Sequence, residues 1–171
     1  MKKRALLLIT VLMVALLIML SVPAHAGPPS TAEGLWKYTT YILEAREAGC
    51  NTFLTTFEES VWTGTFEGTS TEDGRVVIHC NGRWSFKAIV TFDQVTVKDE
   101  SGADRSGTLE MSAVGSRPDG SAEWFGQWVI TNGTDGLKNL RGQGNFWGPG
   151  APDVGVQGDI YYDGNYHFEP N

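Results

Sequence analysis

The stretch "LRGQGNFWG", residues 140–148, sets an arginine ahead of three glycines, and runs of this kind can cradle a phosphate. A phosphate loop needs a helix directly after the glycines, because the free N–H groups and dipole of its first turn hold the anion. Pro149 and Pro152 forbid that helix, and no Gly-Lys-Ser/Thr ends the run. The nucleotide reading therefore fails. Gly142 and Gly144 instead alternate along a strand and leave one of its faces without side chains.

Other reactive residue types are scattered. Glu58-Glu59, Glu110 and Asp159 fall in strand-like segments. An acid facing inward there is costly and points to function, whereas an outward one is simply solvated, and the outward reading is the expectation. Paired acids serve glycoside hydrolysis only at a defined separation, which a sequence does not supply. His79 and His167 are too few and too far apart to nominate as a base or metal pair, and Gly-x-Ser-x-Gly does not occur. Tyr161, Tyr162 and Tyr166 could offer phenols to a ligand or seal the end of a final strand.

Cys50 and Cys80 are the only cysteines. Two thiols leave a tetrahedral zinc short of ligands, and adjacent His79 points to the opposite face of a strand from Cys80. A disulfide is expected, and no metal or cofactor.

The aromatic residues are the strongest candidates for contact with a ligand. All six tryptophans follow residue 26, and several share strand faces. Trp84, Phe86, Trp124, Trp128 and Tyr161 are expected to line a cavity that grips a flat or apolar molecule; core filling is the competing explanation. Trp147, between glycines and proline, is expected in a loop, where it could stack on a sugar.

What must position these residues begins with an export signal. Lys2, Lys3 and Arg4 precede an apolar run from Ala5 to Val22, and Ala24-His25-Ala26 supplies small residues where a signal peptidase reads. A retained anchor is the competing reading, since the run approaches ~18 residues. The expectation is a signal peptide over 1–26, a flexible leader over 27–33, one domain over 34–171, and a secreted or periplasmic protein. The signal peptide carries three of the 13 basic residues and none of the 20 acidic ones, leaving 10 against 20, a net charge of −10. That balance argues against nucleic acid and anionic membrane as partners, because both reward clustered Lys and Arg.

Beyond the leader, apolar residues recur with period two. Trp84, Phe86, Ala88, Val90 and Phe92 share one face; Trp62, Gly64, Phe66 and Gly68 share another. Turn dipeptides punctuate the chain at Asp73-Gly74, Asp119-Gly120, Asn132-Gly133, Asp135-Gly136 and Asp163-Gly164. "TGTFEGTSTEDG" and "SGTLEMSAVGSRPDG" read as two similar hairpins. Consecutive strands joined by short turns predict an all-β, antiparallel sheet. With bend-permitting glycines inside it, about eight strands close into a single β-barrel. A β-sandwich is the runner-up.

The order "WVITNGTDGLKNLRGQGNF", 128–146, resembles allene-oxide-cyclase-like and dirigent-like barrels, including bacterial members with no assigned activity. There, a strand carrying Trp leads through a Gly-Thr-Gly-like turn into Leu-x-x-Leu-x-Gly-x-Gly and an aromatic. The matching residues are Trp128, Gly133 to Gly136, Leu137, Leu140, Gly142, Gly144 and Phe146, and "GDIYYDGNYHF" resembles the final strand of that group. The resemblance, over about 62–168, implies an eight-stranded barrel whose interior can hold an apolar small molecule. No catalytic residue of the plant cyclases matches this chain.

Three functions fit this sequence. The first is binding of a small apolar or aromatic molecule in the lumen without chemistry. The second is a cyclase or isomerase on the same barrel, acting by orienting a reactive intermediate. The third is a carbohydrate- or surface-binding module using exposed tryptophan. Two or more carboxylates or tyrosines facing a cavity would favour the enzyme.

Overall fold

The computed structural model describes residues 28–170. The signal expected over 1–26 lies outside the described residues. Eight antiparallel strands form one sheet: β1 (Ser30–Ala48), β2 (Asn51–Gly64), β3 (Glu67–Ile78), β4 (Trp84–Lys98), β5 (Asp104–Arg117), β6 (Trp124–Gly133), β7 (Leu140–Gly150) and β8 (Gln157–Phe168). Each strand pairs with the next, and β1 pairs with β8 through Ser30↔Tyr166 to Thr39↔Gln157, so the sheet closes in a ring. A single 3-10 turn, Asp135–Leu137, is the one helical element among the described residues. Closure removes every sheet edge, which a β-sandwich would leave exposed.

Period two drives the closure. Even-numbered residues of β2 and β8 and of the first part of β4, such as Trp62, Tyr162 and Val90, turn inward and are buried. Register shifts at Ile42/Glu44, Phe92/Val95 and Trp147/Gly150 mark irregularities that bend long strands around the ring. Inward glycines provide the rest of the curvature by seating rings. A Cβ on Gly144 or Gly164 would meet the Trp128 indole, and one on Gly126 would meet Phe146. The bare strand face seen in the "GQG" run is thus the seat of Trp128.

Three sequence expectations are corrected. Residues 30–33, assigned to a loose leader, pair with β8 as the start of β1. "TEDG", assigned to a turn, runs through the middle of β3, with Asp73-Gly74 opposite Ile89 and Ala88. Gly74 is accepted there because its inward position faces the Thr56 hydroxyl, which leaves no room for a side chain. The two repeat segments are not equivalent hairpins: the first crosses from β2 into β3, whereas the second follows β5 into the turn at Asp119-Gly120.

The disulfide forms between Cys50 and Cys80. It joins the β1–β2 turn to the β3–β4 loop at one end of the ring, where the β5–β6 and β7–β8 loops also lie. Closing a separation of 30 residues contributes about 3–4 kcal/mol on the chain-entropy account. Its presence fits an oxidising, extracytoplasmic compartment.

Candidate functional site

The two ends of the lumen differ. At the end away from the disulfide, Trp62, Phe66, Phe92, Trp128 and Tyr162 pack into a solid core. Tyr162 accepts a hydrogen bond from Phe66 N and donates to Thr63 O, and Tyr166 donates to Lys98 O, so both phenols fasten this closed end. Burial pushes the Tyr162 phenol up to about 12, which keeps it protonated.

Toward the disulfide end the lumen opens into a cavity of about 350 Å³. Its wall is aromatic: Trp36, Trp84, Phe86, Trp124 and Phe146 line it. Edge contacts hold these rings in place. Trp124 meets Phe86 at 5.3 Å and 87°, and Trp84 at 6.3 Å and 89°. Beneath them Trp36 stacks on Trp62 at 4.7 Å, with the indole N–H groups donating to Ser60 Oγ and Ser70 Oγ. That stacked pair separates cavity from core. At the mouth, residues 151–154 of the β7–β8 loop form one side, tethered where Ala151 N donates to the Tyr38 hydroxyl at 2.9 Å.

The polar part of the cavity is small and acidic. Glu58 on β2 and Glu72 on β3 both line it and stand directly opposite each other in the strand register. Opposed residues on one sheet face are about 5 Å apart at Cβ, and like charges there repel. Thr40 Oγ1 donates to Glu58 Oε1 at 2.7 Å. Glu72 is 3% exposed, and its Oε2 is buried without a hydrogen-bond partner. Burial pushes the Glu58 carboxyl up to about 7 against the opposing pull of the Thr40 hydrogen bond. Burial, then the charge of Glu58, then that of Asp73, hold Glu72 well above the ordinary carboxylate range. Tyr38, also in the wall, is raised by burial and next by Glu58. Arg117, at the end of β5, lays its guanidinium 4.1 Å over the Trp84 ring and 5.3 Å from the Trp124 ring.

Of the five residues expected to contact a ligand, Trp84, Phe86 and Trp124 line this cavity. Trp128 and Tyr161 do not. Trp128 points inward but lies in the closed end, its N–H donating to Asn145 O and Asp163 O. Tyr161 has odd parity on β8, so it faces outward and stacks on Trp147. Trp147 lies in β7 rather than a loop. Glu59 is exposed as expected, and Glu110 accepts from Thr131 on the outer face. Glu58 reverses the expectation for strand acids, because it shares parity with buried Ser60 and Trp62.

Sequence reasoning missed Glu72, Tyr38 and Arg117. Counting back by twos from Trp62 reaches Glu58, and from Trp36 forward reaches Tyr38 and Thr40. Glu72 was hidden by its place in an apparent turn. Among the described residues, no group of three or more His, Cys, Asp or Glu is arranged to hold a metal ion.

No family model and no curated protein matches this chain. A solved structure with a similar fold is a protein of unknown function from the DUF3224 family of Shewanella oneidensis MR-1. It is 18% identical and covers 84% of this chain and 100% of its own, with a TM-score of 0.56. At that identity the likeness speaks for the fold alone, one all-β architecture shared by two distant sequences.

Proposed function

We propose that this protein, exported to the periplasm or beyond, takes up a small apolar or aromatic molecule in the open half of its barrel. The observation that carries this reading is the cavity of about 350 Å³ behind the mouth loops, walled by aromatic rings. That volume lies within the range of small-molecule sites, which are concave, mostly apolar and equipped with a few polar groups. The sequence resemblance to allene-oxide-cyclase-like and dirigent-like barrels agrees with such a lumen. The neutral fluorophore N-phenyl-1-naphthylamine tests it. One molecule should bind per chain with a blue-shifted rise in emission, weakened by Trp84→Leu or Trp124→Leu. No uptake at any concentration would refute the reading.

The acid pair favours a second reading, an isomerase or cyclase working by proton transfer. Two buried carboxyls that face each other, each with its proton affinity raised, suit paired acid and base work near neutral pH. Glu58 would take a proton from carbon while protonated Glu72 gives one to a carbonyl oxygen; the reverse transfers complete the shift. Enzyme-dependent exchange of the α-hydrogens of 4-phenyl-2-butanone with D2O, lost in Glu58→Gln, would support it. Exchange no faster than in buffer would leave binding alone.

A further inference from the structure

We propose that the ligand carries a basic nitrogen, so that an ammonium head docks against Glu58 and Glu72 while its apolar body lies between Trp84, Phe86 and Trp124. This inference rests on the lumen-binding reading and adds the chemical class of what is bound.

The argument starts from the unpartnered oxygen. Glu72 Oε2 is buried beside the cavity with nothing donating to it, and an ionised carboxylate is satisfied only by a donor. Glu58 stands opposite on β2, so a donor that reaches one acid is within reach of the other. A ligand carboxylate or phosphate would add a further acidic group to this wall. A hydroxyl would supply one donor and no charge to stabilise ionised Glu58 or Glu72. An ammonium supplies up to three N–H donors and a positive charge together.

The aromatic wall suits the same chemistry. Ring faces attract cations, and the Trp84 and Trp124 rings already hold the Arg117 guanidinium. Arg117 lines the same cavity from β5, two strands from β3, and with its guanidinium over the Trp84 ring it makes no ion pair with Glu58 or Glu72. Burial disfavours charge on both acids, and a bound cation removes that penalty. Docking of an ammonium therefore drives a proton off the pair.

The test uses three probes of one shape: 4-phenylbutylamine, 4-phenylbutanol and 4-phenylbutanoate, titrated calorimetrically into the full protein and used to displace N-phenyl-1-naphthylamine. The amine should bind at least about tenfold more tightly than the alcohol, and the acid most weakly. Its binding enthalpy should change with the ionisation heat of the buffer, reporting proton release. Glu58→Gln and Glu72→Gln should each reduce the preference for amine over alcohol. Equal binding of amine and alcohol, or binding without proton release, would overturn the inference and leave the lumen reading standing. Failure of the fluorophore itself to bind would overturn both. The selectivity and the buffer dependence are read on the unaltered protein, so neither depends on a variant that folds.

Discussion

Glu58→Gln should stabilise this protein at alkaline pH and do nothing at acid pH. Burial raises the Glu58 carboxyl from an ordinary 4.5 to about 7 in the folded chain. Below 4.5 the group is protonated in both folded and unfolded states, and folding carries no penalty for it. As pH rises from 4.5 to about 7, the unfolded chain releases the proton while the folded chain still holds it, so stability is lost over that window and levels off above it, where the folded chain carries the buried charge. At ~1.4 kcal/mol per tenfold change in proton affinity, the loss reaches about 3 kcal/mol by pH 8. Glutamine has the same shape, can still accept from Thr40 Oγ1, and carries no charge to bury. The variant should therefore melt about 6–12 °C above the parent at pH 8 and within about 2 °C of it at pH 4.5. Thermal unfolding followed by circular dichroism at several pH values reads this difference directly; subtracting parent from variant cancels the titrating groups remote from Glu58, and relief of Glu72 from the Glu58 charge adds to the gain with the same sign. A variant that matches or falls below the parent at pH 8 would refute the buried-acid account.

Other perturbations separate the two halves of the lumen. Trp128→Leu should cost about 3 kcal/mol in urea unfolding, through a cavity and the loss of the indole N–H donated to two carbonyls, yet leave fluorophore affinity nearly unchanged. Trp84→Leu should do the opposite, weakening the fluorophore several-fold with little loss of stability, because that ring borders open space. Gly126→Ala should destabilise by about 1–3 kcal/mol, since its methyl would collide with Phe146 and the Val114 carbonyl. Reduction of Cys50–Cys80 should lower stability by about 3–4 kcal/mol, seen as a lower urea midpoint with dithiothreitol.

The alternation of apolar residues made the strands legible, and the frequency of internal glycines made closure legible, because both follow from local backbone geometry. Register was harder. Asp73-Gly74 has the chemistry of a turn, yet β3 runs straight through it because Thr56 on the neighbouring strand occupies the space a side chain would need. That is a contact across strands, invisible to a reading along the chain. The same gap explains the site. Trp84, Phe86 and Trp124 were found because aromatic residues on one strand face signal an interior. Glu72 was not, because it stands beside Asp73-Gly74 in a stretch that reads as a turn. Trp128 was drawn in because it shares the strand face of Trp124, and Tyr161 by residue type alone. One fills the closed end, and the other faces outward by the parity of a single residue.

The most direct test of an open, ligand-receiving half-lumen is a crystal soaked with iodobenzene and measured for anomalous scattering by iodine. A strong iodine peak between Trp84, Phe86 and Trp124, above the Trp36–Trp62 stack, is the predicted result. Iodine found only against the outer Trp147–Tyr161 pair, with the interior empty, would contradict the account.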